Sequence, residues 1–128
     1  MAIPLSSPAL VLCDDHTAYR SYLADLLRRA GLAVVGQADG VEALRSWLAC
    51  HPVPPDLVLM DVQMPGGGPA GLAALLREHA GLHVLALSAH DDPASVAAML
   101  AAGARGYLLK DDPLAELVDS IHVVASGH

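Results

Sequence analysis

Short apolar runs at positions 10–13, 33–38, 57–60, 84–88 and 106–109 are bounded by polar residues, Gly or Pro, and predict five β-strands. Between and after them, apolar positions recur at helical spacing, which predicts helices over 17–30, 40–50, 69–79, 93–102 and 113–125. Several of these segments open on Asp or Pro, and Gly31 and Gly81 close two of them. Strand and helix alternate throughout. Parallel neighbours need a crossover, and the crossover is usually a helix, so this alternation implies a parallel sheet covered on both faces. The runs LVLM (57–60) and VLAL (84–87) are continuously apolar rather than alternating, as strands buried on both faces should be. The predicted class is α/β, a doubly wound five-stranded parallel sheet.

Composition narrows the picture. At 128 residues the chain fits one domain, with neither repeat nor linker. The absence of Phe makes the expected core aliphatic. No apolar run reaches the ~18 residues a membrane helix needs, and the N-terminus does not resemble a secretory signal, so a cytoplasmic chain is expected. Cys13 and Cys50 lack paired spacing and read as buried thiols. A net charge of −7, with seven Lys and Arg, argues against direct nucleic-acid binding.

Candidate chemistry gathers at one edge. Asp14 and Asp15 follow the first predicted strand and Asp61 the third; Ser88 ends the fourth, and Lys110, the single lysine, follows the fifth. In open doubly wound sheets, ligands bind beyond the carboxyl ends of the strands, where strand order reverses. With the order 2-1-3-4-5, the acids after strands one and three would converge. Three such carboxylates must take up protons or hold a cation, and an all-oxygen set suits Mg²⁺ (or Mn²⁺). Mg²⁺ and Lys110 together would balance the three acids, leaving a pocket able to receive a phosphoryl group.

Each of these residues also has a plainer reading. Asp14 or Asp15 could cap a helix, Asp61 could be a loop acid before Met64-Pro65, and Lys110 could be a solvated surface residue. Ser88 and Tyr107 could be ordinary strand residues. Gly66 to Gly68 is not followed by the Lys-Ser or Lys-Thr of a phosphate loop and reads as a flexible loop. The histidines other than His90 are scattered without ligand spacing and read as surface residues.

The segments VLCDDH (11–16), PDLVLMDVQMPG (55–66), LALSAH (85–90) and GARGYLLKDD (103–112) resemble the signature segments of response-regulator receiver domains. GARGYLLK followed by Asp is most similar to the NarL/FixJ (LuxR-type) branch. The similarity spans nearly the whole chain and implies a flavodoxin-like receiver domain over 9–126, after an N-terminal extension over 1–8. It implies that Asp61 accepts a phosphoryl group from a sensor histidine kinase and later loses it by hydrolysis. Asp14, Asp15, Asp61 and the backbone carbonyl of Gln63 would hold the metal, while Lys110 and Ser88 would contact the phosphoryl group. Ser88 and Tyr107 would form the switch, and His90 would tune dephosphorylation.

Such a domain is a signalling switch rather than an enzyme with a free substrate. A metal-dependent phosphohydrolase would carry Asp-x-Asp, where this chain has Asp61-Val62-Gln63. An inert interaction module would not need the complete set of acids, hydroxyl and lysine. Full-length relatives usually continue into a helix-turn-helix domain, so this chain is expected to be a truncated piece. DNA would be reached only through that absent domain, and a homodimer on phosphorylation is a further implied partner.

Overall fold

A computed structural model describes residues 7–126, so residues 1–6 of the expected extension, with Gly127 and His128, lie outside the described residues. Five strands, β1 (Ala9–Cys13), β2 (Ala33–Ala38), β3 (Leu57–Asp61), β4 (Val84–Ser88) and β5 (Gly106–Leu109), form one sheet in the order β2-β1-β3-β4-β5. All four pairings are parallel. The crossovers are α1 (Thr17–Arg29), α2 (Val41–Cys50), α3 (Pro69–Glu78) and α4 (Pro93–Ala102), and α5 (Leu114–Ala125) follows β5. Among the described residues no helix is long and apolar enough to cross a membrane.

The period of two in each strand divides the core. Leu10, Leu12, Leu57, Leu59, Leu85 and Leu87 face α1 and α5, packing with Leu23, Leu27, Leu117 and Ile121. Val11, Cys13, Val58, Met60, Val84 and Ala86 face the other way, against Val41, Leu44, Leu72, Leu75 and Met99 of α2, α3 and α4. Every residue of β3 and β4 is buried, which explains why those strands read as continuous apolar runs.

Local chemistry sets the ends. Arg28 and Arg29 occupy the last turn of α1, where cations complement the helix dipole. Asp92 caps α4 by accepting from the Ser95 N–H at 3.1 Å, ahead of Pro93 in the first turn. At the other end of α4, Gly103 takes φ +117°, a left-handed conformation that ends the helix at little cost for a residue without Cβ. Edge strand β2 carries a register shift opposite Leu10/Val11, which leaves Val35 exposed.

Candidate functional site

The strands run in parallel, so their carboxyl ends share one rim. Asp14 lies one residue past β1 and is tied to the sheet by its N–H, which donates to the Ala38 carbonyl at 3.0 Å. Asp61 is the last residue of β3. Lys110 follows β5, and its N–H donates to the Ser88 carbonyl at 2.8 Å. The Lys110 ammonium stands 2.9 Å from Asp14 Oδ2 and 3.6 Å from Asp61 Oδ2. It also lies 4.6 Å from the centre of the Tyr19 ring, within cation–π range.

Both carboxylates are buried, at 3% exposure for Asp14 and 1% for Asp61. Each has one oxygen fixed by a backbone amide: the His16 N–H donates to Asp14 Oδ1 at 2.8 Å, and the Gln63 N–H to Asp61 Oδ1 at 3.0 Å. The two Oδ2 atoms accept no hydrogen bond. Their close neighbour is the Lys110 ammonium, in ionic contact with both.

Burial opposes charge on Asp14, but Lys110 and His16 outweigh it and hold this carboxyl below the usual carboxylate range. At Asp61, burial outweighs the Gln63 N–H, the nearby Asp14 charge adds to it, and the carboxyl is pushed above its ordinary value. Two buried acids with opposite shifts and unsatisfied oxygens, beside a third acid in Asp15, form a donor set that fits a hard divalent cation. Ligand atoms of Asp14, Asp15, His16 and Asp61 all lie within 4.8 Å of one another.

Beside the acids, the loop after β4 carries a second arrangement. The buried Ser88 Oγ accepts from the His90 N–H at 3.0 Å, and Tyr107 Oη donates to the His90 carbonyl at 2.7 Å. The Gln63 side chain reaches across to this loop, its Oε1 accepting from the Ala89 N–H at 3.1 Å. Ser88, His90, Tyr107, Gln63 and Met99 line one cavity of about 410 Å³.

The model of the response regulator receiver domain matches residues 10–122. The chain belongs to the response-regulator receiver family. This receiver domain is 40% identical over 121 residues to the response regulator GacA of Pseudomonas viridiflava, covering 92% of this chain and 55% of that protein. Among solved structures, it is similar to the signal receiver domain of the response regulator NarL from Mycobacterium tuberculosis. There the TM-score is 0.85 at 36% identity, over 97% of this chain and 100% of the other. A LuxR-family two-component response regulator from Aurantimonas gives a TM-score of 0.84 at 30% identity, over 96% and 88%. The receiver domain is therefore of the NarL/LuxR type, and it spans about half the length of the curated relatives it matches.

The receiver fold brings Asp14, Asp15, Asp61 and Lys110 to one rim, with Ser88, His90 and Tyr107 beside it. Asp15 is the more open acid, with its side chain 42% exposed. For Gln63, the amide N–H and the side-chain carbonyl make the contacts described. His16 is a surface residue, as expected, but sequence reading missed that it also joins the acidic cluster. Its signal was adjacency to Asp14-Asp15.

Arg20, which donates to the Asp14 carbonyl at 2.6 Å, and Tyr19 beneath Lys110 were also missed. They sit one helical turn into α1, where nothing in the apolar pattern marks them. One further reading is corrected. Cys13 is buried, and burial pushes its thiol up to about 12, but Cys50 is exposed because it falls off the inward stripe of Val41 and Leu44. The glycine-rich stretch is a loop, as expected, and places its own demands on glycine: Gly66 has φ +80°, the Gly67 N–H donates to the Met64 carbonyl at 2.9 Å, and a Cβ on Gly67 would strike the Asp61 carbonyl oxygen.

Proposed function

We propose that Asp61 is the phosphoacceptor of this receiver domain, that a sensor histidine kinase is its donor, and that phosphorylation controls an output such as transcription through a separate helix-turn-helix domain. The observation that carries this reading is the meeting of Asp14, Asp61 and Lys110, with ionic contacts of 2.9 and 3.6 Å. The receiver unit is taken as residues 9–126, with 1–8 preceding it.

The Gln63 N–H engages Asp61 Oδ1, so Oδ2 is the oxygen with lone pairs available for attack. A bond forms between Oδ2 and phosphorus as the P–N bond of a phosphohistidine breaks, the electron pair leaving with the imidazole nitrogen. Lys110, already 3.6 Å from Oδ2, meets the negative charge on the transferred group. Asp14, Asp15, Asp61 and the Gln63 carbonyl would hold Mg²⁺ (or Mn²⁺), which supplies further charge neutralisation. Ser88 Oγ would donate to a phosphoryl oxygen, and its movement would release Tyr107 from the His90 carbonyl toward the cavity. His90, at the centre of that arrangement, would tune the lifetime of the acyl phosphate.

Coupling Ser88 to Tyr107 would favour a second packing of α4, β5 and α5, a population shift with homodimerisation as one outcome. Asp61-Val62-Gln63 offers no second acid for turnover of a free substrate, which supports a switch over an enzyme. The test is intact mass after incubation with acetyl phosphate and Mg²⁺. Wild type is expected to gain one phosphoryl group, and chelation of the metal or Asp61→Asn is expected to prevent it. Equal gain in wild type and Asp61→Asn would remove Asp61 from this role.

A further inference from the structure

The imidazole of His16 takes no part in the steps above. Its side chain is 66% exposed, yet Nδ1 turns into the acidic cleft, 3.2 Å from Asp14 Oδ1, 3.4 Å from Asp15 Oδ1 and 3.9 Å from Asp61 Oδ2. The ring is not loosely placed. His16 precedes the first turn of α1, and its N–H is anchored on Asp14 Oδ1 at 2.8 Å, so the backbone delivers the ring to the cleft.

Three distances decide what the ring can do. An octahedral ion with bonds of about 2.1 Å sets adjacent donors about 3.0 Å apart and opposite donors about 4.2 Å apart. All three Nδ1 separations fall inside that interval. The nitrogen is within hydrogen-bond reach of Asp14 Oδ1 and also faces Asp15 and Asp61, so the ring addresses the whole cluster and not a single acid. Independently, the buried Asp14 Oδ2 and Asp61 Oδ2 accept no hydrogen bond and share one ammonium, Lys110, so with Asp15 beside them the cleft holds more carboxylate charge than that one cation balances.

We propose that His16 is an additional ligand of this metal site and tilts its preference from Mg²⁺ toward first-row transition ions such as Mn²⁺ and Co²⁺. Mg²⁺ is a hard ion that favours oxygen and keeps its waters, so an imidazole nitrogen adds little for it. Mn²⁺ and, more strongly, Co²⁺ gain from a nitrogen donor, in the order that affinities rise along the row. The inference rests on the acidic rim taking a divalent cation, as in the proposed function, and adds the ligand that sets which one.

The experiment titrates wild type, His16→Ala and His16→Gln with Mg²⁺, Mn²⁺ and Co²⁺ by calorimetry. Both variants are expected to lose about tenfold or more in Co²⁺ affinity, the lower end of what even an outer-shell partner costs, with a smaller loss for Mn²⁺ and almost none for Mg²⁺. In the wild type, substoichiometric Mn²⁺ should broaden the ring resonances of His16 while those of His83, at the opposite edge of the sheet, stay sharp. An equal change for all three ions would overturn the proposal. So would tighter binding in the variants, the mark of a displaced counter-ion, or sharp His16 signals. Failure of acetyl phosphate to modify wild type that shows the His16-dependent preference would sink the proposed function and leave this ligand standing; phosphorylation with His16-independent ion binding would do the reverse.

Discussion

The two faces of the sheet are covered unequally. On one, α1 buries Leu23, Ala24 and Leu27, and α5 buries Leu117, Ile121 and Val124, two amphipathic helices with three anchors each. On the other, α2 and α3 have two buried anchors apiece, and α4 has one, Met99, with Leu100 turned to solvent. The acidic rim lies between them. The lesson is that the rim borders a well-held face on one side and, on the other, a helix whose displacement would sacrifice little packing, so on the proposed function α4 is the element expected to respond.

The largest test of that inequality is truncation in each face. Leu27→Ala should cost about 2–5 kcal/mol in urea denaturation, whereas Leu100→Ala on α4 should stay within about 0.5 kcal/mol. Comparable losses would abolish the distinction. Next in size is the cation itself. At a hundredfold excess over its dissociation constant, Mg²⁺ should raise stability by about 2.7 kcal/mol, read as a shift in the denaturation midpoint. That gain should shrink as pH falls through the raised pKa of Asp61, since a protonated carboxyl is a poor ligand.

Without metal, the two acids act oppositely. The raised pKa of Asp61 means that stability is lost as pH rises through it, so Asp61→Asn should stabilise the metal-free protein at neutral pH. The lowered pKa of Asp14 contributes stability above the ordinary carboxylate value, lost as pH falls through the lowered one. A denaturation series against pH for wild type and Asp61→Asn checks both signs.

Smaller effects sharpen the picture near the rim. Gly67→Ala forces a Cβ against the Asp61 carbonyl oxygen and should cost about 1–3 kcal/mol together with weaker Mg²⁺ binding, measured by the same titrations. Unchanged Mg²⁺ affinity would show that this turn does not position Asp61. Least of all, Tyr107→Phe removes the bond to the His90 carbonyl and should cost below about 1 kcal/mol, while exchange of amide protons in α4 quickens.

Much of this was legible in the residues because the strands are short, apolar and separated by helices of ordinary length. The runs around Leu12, Leu59 and Leu87 announce a doubly covered parallel sheet, and topology then carries Asp14, Asp61 and Lys110 to one rim. What could not be read were side-chain directions set by tertiary packing. His16 turns toward the acids, Tyr19 lies beneath Lys110, and Gln63 spans to Ala89, contacts that hydrophobic period does not encode. The turn at Gly67 is similar: its composition reads as slack, while its need for glycine comes from the Asp61 carbonyl.

The central claim concerns one residue, Asp61, and reductive trapping reads it directly. Borohydride converts an aspartyl phosphate to homoserine, so wild type treated with Mg²⁺ and acetyl phosphate, then reduced and digested, should yield homoserine at position 61. Homoserine at position 14 or 15 instead, or at no position in protein that has gained the phosphoryl mass, would contradict it.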